Sequence, residues 1–355
     1  MPYIVSTSKA LPENEHTQLE IIEAIKAMWE RRGHFNRVAE LHKNVGVKKR
    51  FLAIPLIEYG RLNGLSDKND KFIEVATRLS SEAVKTVLQE TNLKALDVDF
   101  IMCSTVTGLA VPSLDARVLN TMDFKPSIKR MPLFGLGCLG GMAGINLMAE
   151  YLVGHPHSVG VLFCTELCTL TFQFDDFSVA NWVSTGLFAD GSGAMCMVGD
   201  LHPLAKNSNI KKIKWISGAS DFYFNTQRVM GWDFIDTGLK IVLGKEVPQV
   251  AKEKVSPFLI KFLEQHHLGI KDLAFYVAHP GGPKVLEGME QGLGITSKEL
   301  HLSYSLLENY GNLSSASVLL ILDEVFKNYF KSGQMGLGTA MGPGFCAEAS
   351  LFRME

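Results

Sequence analysis

The segment from Phe134 to Leu152, FGLGCLGGMAGINLMAEYL, carries one charged residue, Glu150, and constrains the fold more than any other part of the chain. It begins as a glycine-rich turn and continues with the apolar density of a helix that has no polar face. Such a helix has to be buried on most sides. Short apolar strands are expected around it, at Asp99 to Val106 (DFIMCSTV), Val159 to Leu167 (VGVLFCTEL) and Gly193 to Val198, with a loop over 175–185. Amphipathic spacing predicts helices over 17–32 and 70–91. The second half repeats the theme. LAFYVA (Leu273 to Ala278) reads as a strand ending at His279-Pro-Gly-Gly, and Tyr310-Gly-Asn-Leu-Ser-Ser-Ala-Ser opens the apolar helix VLLILDEVF. Ser314 and Ser315 suit a helix start, where hydroxyls accept free N–H groups. The basic stretch KNSNIKKIK (Lys206 to Lys214) is the expected boundary between halves 1–205 and 206–355. Alternating strands and helices indicate an α/β fold in layers, with helices buried between sheets.

With 46% apolar and 20% charged residues over 355 positions, the chain can bury a core large enough for two domains or one double-sized one. Lys and Arg number 35 against 37 acids, which gives no nucleic-acid footprint and leaves small molecules as the expected partners. The N-terminus, MPYIVSTSKALPENE, has too short an apolar run for a signal peptide, and no stretch reaches the roughly 18 apolar residues of a membrane span. A cytoplasmic location is expected. Six scattered cysteines in apolar runs read as buried free thiols, and the CxxxC pair Cys164 and Cys168 has neither a second pair nor an HxxxH partner. No metal or other cofactor is therefore assigned.

Cys138 stands just before the buried helix, where the helix dipole and free N–H groups favour a thiolate. Flanking glycines allow substrate and backbone to approach closely. The same loop resembles a hydrolase nucleophile elbow, so it does not choose a reaction by itself. His279 closes a strand before a Pro-Gly-Gly break, at the strand edge where α/β folds build sites. Such a His is either structural or, if it meets a thiol, half of a thiolate–imidazolium pair. Asn312 is either a turn residue in Tyr-Gly-Asn or an oxyanion donor.

Together, Cys138 in GLGCLGGMAG, His279 in HPGG, Asn312 in NYGNLSSASVLLILDE and the late loop Gly342-Pro343-Gly344 resemble the type III polyketide synthases over nearly the whole chain. VLFCTELCTLTFQ and LFADGSGA look most like bacterial members of the alkylpyrone or alkylresorcinol type. The resemblance implies a thiolase-like fold of two pseudo-repeated halves in α/β/α/β/α layers, a homodimer, and a tunnel for the pantetheine arm of coenzyme A. It also implies a reaction. Cys138 would take an acyl group from a starter acyl-CoA, while His279 and Asn312 stabilise the enolate from decarboxylation of malonyl-CoA. The extended chain would then close as a pyrone or resorcinol-type ring.

The resemblance further assigns cavity-lining positions. Ile241 falls where plant members carry a gatekeeper Phe, the other gatekeeper aligns at Thr171 or Phe172, and Val111 stands where a plant Met precedes a Pro and reaches into the partner subunit. Ser314, Val106 and Thr107 match further lining positions. Smaller residues at 241 and 111 lead to the expectation of long-chain fatty acyl starters, because each buried CH₂ contributes about 0.8 kcal/mol. The family's basic coenzyme A site falls among Arg37, Lys43, Lys48, Lys49 and Arg50. Two other readings are weighed. A ketoacyl-carrier-protein synthase III shares Cys, His and Asn but normally follows its His with Gln-Ala-Asn. A cysteine hydrolase of the dienelactone type, with an acid such as Asp190, leaves Asn312 and the second half unused.

Overall fold

The computed structural model describes residues 1–29 and 35–355. Nine strands form one sheet, built from β1 (Tyr3–Ala10), β4 (Phe100–Thr105), β5 (Lys129–Phe134), β6 (Val159–Leu167), β7 (Asp190–Val198), β8 (Ile213–Phe222), β11 (Leu273–Ala278), β12 (Met335–Gly342) and β13 (Cys346–Met354). Two small antiparallel pairs complete the strands: β2 (Asn14–Thr17) with β3 (Lys49–Leu52), and β9 (Met230–Ile235) with β10 (Gly238–Leu243).

The sheet order is β11-β12-β13-β8-β1-β7-β6-β4-β5, and it contains a repeat. β4 runs parallel to β6, which is antiparallel to β7, itself antiparallel to β1. The same sequence of relations holds for β11, β12, β13 and β8. The two lobes meet where β1 pairs with β8, through Tyr3 with Lys214 and Ile4 with Ile213 alone. So short a seam lets the lobes fold over the same pair of helices.

Those helices are Gly140–Gly154 and Ser317–Asn328, which touch strands of both lobes. Met142, Ile145, Met148, Leu319, Leu320 and Ile321 are buried between the lobes, as the nearly uncharged segment requires. The helix Gly64–Glu90 covers one lobe from outside, and Ser256–Gln265 with Pro283–Leu293 covers the other. The result is five alternating layers. No helix among the described residues is long and apolar enough to cross a membrane.

Most expected elements appear within a few residues of their predicted ends. The helix expected over 17–32 runs Gln18–Trp29, and the last residues of that expectation lie outside the described ones. The loop expected over 175–185 is instead largely a helix, Val179–Leu187, started by Ser178, whose Oγ accepts the Asn181 N–H at 3.2 Å.

Candidate active site

Cys138 reaches its place through a turn that only glycines allow. After β5, Gly135 and Gly137 adopt φ of +88° and +55°, and a Cβ on Gly137 would stand 2.6 Å from Pro343. Gly141 brings the following helix against the Ser315 carbonyl, where a Cβ would meet the oxygen at 2.2 Å. The nucleophile loop is thus clamped between Pro343 on one side and the Ser314–Ser315 turn on the other.

His279 follows the end of β11, where its N–H donates to the Thr339 carbonyl at 2.9 Å. Asn312 follows Gly311, whose φ is +76°, and bridges to the chain at Phe188: its N–H donates to the Leu187 carbonyl and its carbonyl accepts the Ala189 N–H, both at 2.9 Å. The Asn312 Oδ1 accepts the Ser314 N–H at 2.8 Å. That bond fixes the orientation of the amide, so Nδ2 is left with its hydrogens for a substrate.

Cys138, His279, Asn312 and Ser314 open onto one cavity of about 590 Å³. Val106, Phe188, Met230, Trp232, Ile241 and Pro343 form apolar walls, and the exposed Lys245 and Lys284 mark its mouth. Burial pushes the Cys138 thiol up to about 12, opposed by a hydrogen bond with Ser314 and reinforced by the nearby Glu166 charge. Burial also pulls the His279 imidazole down to about 3, and neither ring nitrogen has a hydrogen-bond partner. Burial thus disfavours both the thiolate and the imidazolium, and the thiol is turned to Ser314. Here burial outweighs the helix dipole.

Beneath Cys138 lies Glu166, a fully buried carboxylate that sequence reasoning missed. Its Oε2 accepts Val106 N–H at 3.0 Å and Thr107 Oγ1 at 2.7 Å, while Oε1 accepts Ser315 Oγ at 2.5 Å. Burial raises its pKa to about 6 against these lowering hydrogen bonds. The group ties the strand under the nucleophile to the turn that carries Asn312.

Several expected site residues lie elsewhere. Thr107 is buried in the Glu166 network, and its Oγ1 also accepts the Leu167 N–H at 2.9 Å, so it does not line the cavity. Phe172 packs on Trp29 and Phe174, with ring centroids 5.4 and 4.6 Å away, and the aromatic wall is formed instead by Phe188. Neither Gly342 nor Gly344 lines the cavity: Gly342 lies against the Leu136 carbonyl and Leu139, and Gly344 against Phe222. Val111, before the cis Pro112, is 98% exposed and does not line the cavity of its own chain.

The basic cluster is dispersed as well. Arg50 is buried, with Nη1 donating to the Phe188 carbonyl at 2.5 Å, so it cannot form part of a solvated rim. Lys48 pairs with Glu308, Lys49 pairs with Glu15 at 2.9 Å, and Arg37 lies 5.5 Å over the Trp182 ring. Lys43 is exposed and does not line the cavity, whereas its neighbours Leu41, Asn44 and Val45 do. Among the described residues no cluster of three or more His, Cys, Asp or Glu could hold a metal ion.

Comparison with known proteins gives the same picture. A family model described as FAE1/Type III polyketide synthase-like protein matches residues 56–278, and one described as chalcone and stilbene synthases, C-terminal domain, matches 215–354. The chain is 36% identical to a 1,3,6,8-tetrahydroxynaphthalene synthase of Streptomyces peucetius subsp. caesius, over 99% of this chain and 92% of that one. It is 31% identical to a putative chalcone synthase of Bacillus subtilis (strain 168), over 100% and 99%. The crystal structure of the tetrahydroxynaphthalene synthase of Streptomyces coelicolor A3(2), a bacterial type III polyketide synthase, superposes with a TM-score of 0.92 at 27% identity, covering 99% of both chains. The layered fold is therefore thiolase-like, and the chain belongs to the type III polyketide synthases, enzymes of the acyltransferase class.

Proposed function

We propose that this enzyme loads an acyl group from an acyl-CoA onto Cys138 and extends it with malonyl-CoA by decarboxylative Claisen condensation. The observation that carries the reading is that Cys138, His279 and the unpaired Nδ2 of Asn312 share one enclosed, mostly apolar cavity. His279, neutral at rest, accepts the Cys138 proton as the sulfur attacks the thioester and coenzyme A leaves. Loss of CO₂ from malonyl-CoA leaves an enolate, whose oxygen takes hydrogen bonds from Asn312 Nδ2 and the His279 ring. The enolate carbon attacks the acyl carbonyl, the C–S bond to Cys138 breaks, and a β-ketoacyl-CoA departs.

For the starter, the apolar walls and Ile241 support a long-chain fatty acyl group, with the product closed as a pyrone or resorcinol-type ring. A second reading has its own observation. Trp232 is paired directly across from Ile241 and stands 6.4 Å from Phe188, so it fills space that the smaller Ile241 would have opened. That favours a short starter and a compact aromatic product, in keeping with relatives named for tetrahydroxynaphthalene and, in Pseudomonas fluorescens, for phloroglucinol. We also propose a homodimer. The exposed Val111, Met131 and Phe134 lie on or near the open edge strand β5, a surface suited to a second copy.

Mass spectrometry of products from acyl-CoAs of graded chain length with malonyl-CoA tests the reading, with Cys138→Ala as control. The long-chain reading expects kcat/KM to rise with chain length. A maximum at acetyl- or malonyl-CoA would select the Trp232-limited reading, and condensation by the Ala variant would overturn both.

A further inference from the structure

One wall of the catalytic cavity stands apart from the main sheet. Met230, Trp232, Ile241 and Leu243 line the cavity from the hairpin β9–β10, which forms a two-stranded sheet of its own. A lone hairpin has little stability by itself, so its position depends on what holds it from outside.

Two buried side chains of the N-terminal half hold its tip. Lys68, in the helix Gly64–Glu90, donates from Nζ to the Thr237 carbonyl at 2.9 Å and to the Phe172 carbonyl at 2.8 Å. Gln173 accepts Thr237 Oγ1 at 2.6 Å through Oε1 and donates through Nε2 to the Leu239 carbonyl at 3.1 Å. Neither residue lines the catalytic cavity. Lys68 has no carboxylate partner among the described residues, and burial pulls its ammonium down to about 8. A buried charge without a counter-charge costs stability that an apolar side chain of similar length would not. What this charge gains is a pair of carbonyls far apart in sequence, one on the turn after β6 and one on the hairpin.

Building on the thioester chemistry proposed above, we infer that Lys68 and Gln173 are specificity-determining positioning residues. They clamp the tip of the β9–β10 hairpin to the N-terminal half and so fix how far Trp232 and Ile241 reach into the cavity, which limits the length of acyl group that Cys138 can carry. The clamp acts through the hairpin and touches no substrate. With the tip released, the wall gives way to a longer chain.

The test is a competition in which octanoyl-CoA and acetyl-CoA are supplied together with malonyl-CoA. Mass spectrometry reads octanoyl-primed products against those primed by acetyl or malonyl groups. Lys68→Met keeps the length of the stem and removes the donors, and should raise this ratio about three- to tenfold, the range of one net hydrogen bond. Gln173→Leu should shift it the same way. In the Trp232→Ala background, where the wall is already cut back, Lys68→Met should change the ratio by no more than about twofold, whereas a general loss of structure would act equally in both backgrounds. A ratio that stays the same or falls in folded Lys68→Met, or an equal rise in the Trp232→Ala background, overturns the inference. If Lys68→Met does not fold, the same comparisons are read from Gln173→Leu. If the wild type forms no condensation product from any of the three thioesters, the proposed function fails instead.

Discussion

The polar groups beneath the nucleophile and those that face the reaction cavity are treated in opposite ways. Below Cys138, the buried Glu166 accepts hydrogen bonds from Val106, Thr107 and Ser315, so both of its oxygens are occupied. Facing the cavity, both ring nitrogens of His279 and the Nδ2 of Asn312 have no protein partner, although His279 and Asn312 are each 2% exposed. An unmet buried donor costs about 1–3 kcal/mol. A satisfied network holds the nucleophile in place, and an unsatisfied one waits for charge that appears only during reaction.

That contrast can be broken from either side. Removing a waiting group should affect turnover most: Asn312→Ala is expected to lower kcat for malonyl-CoA decarboxylation by about 10²–10³. Its stability in urea should fall only by the roughly 1–3 kcal/mol of the lost Ser314 N–H bond, and a larger stability loss with normal turnover would reverse the assignment. On the satisfied side, Glu166→Gln should do the opposite. It places an NH₂ where Thr107 or Ser315 donates and should cost about 1–3 kcal/mol of stability, read by urea unfolding. It also removes the charge that raises the Cys138 thiol, so alkylation by iodoacetamide should proceed at lower pH than in wild type.

The pH dependence of stability offers a smaller effect with a definite sign. The folded pKa of His279, about 3, lies below the ordinary 6.5, so neutral His279 contributes stability that is present above pH 6.5 and declines as pH falls toward 3. Glu166 and Asp190, both raised to about 6, act oppositely and add stability as pH drops through 6. Against His279→Gln, wild type should therefore lose about 1.4 kcal/mol more per pH unit between 6 and 4. Parallel curves would mean that the ring is not held neutral. The mildest change is Trp232→Ala, which opens the wall beside Phe188 and should shift products toward longer starters or further extensions, with little change in stability.

Local patterns identified the elements that local residues decide. VGVLFCTEL and LAFYVA form strands with the expected ends, and the nearly uncharged helix is buried as its composition demands. The helix Val179–Leu187 was also within reach, since Ser178 before Val179, Trp182 and Val183 is a cap followed by helical spacing. What the sequence could not show was which charges meet. Lys48 and Glu308 are distant in the chain, and Arg50 follows two exposed-looking lysines yet turns inward to the Phe188 carbonyl. Lys245 and Lys284 drew no attention because each is an ordinary surface lysine until the fold sets both beside the cavity. Phe188 and Glu166 were hidden in strand-like runs for the same reason.

The central claim is that Cys138 carries the growing acyl chain, and intact-protein mass spectrometry after incubation with a starter acyl-CoA alone tests it most directly. The account predicts a mass increase of one acyl group, mapped to the peptide containing Cys138 and absent from Cys138→Ala. An acyl adduct that persists in the Ala variant, or an enzyme that condenses while Cys138 never becomes acylated, would contradict it.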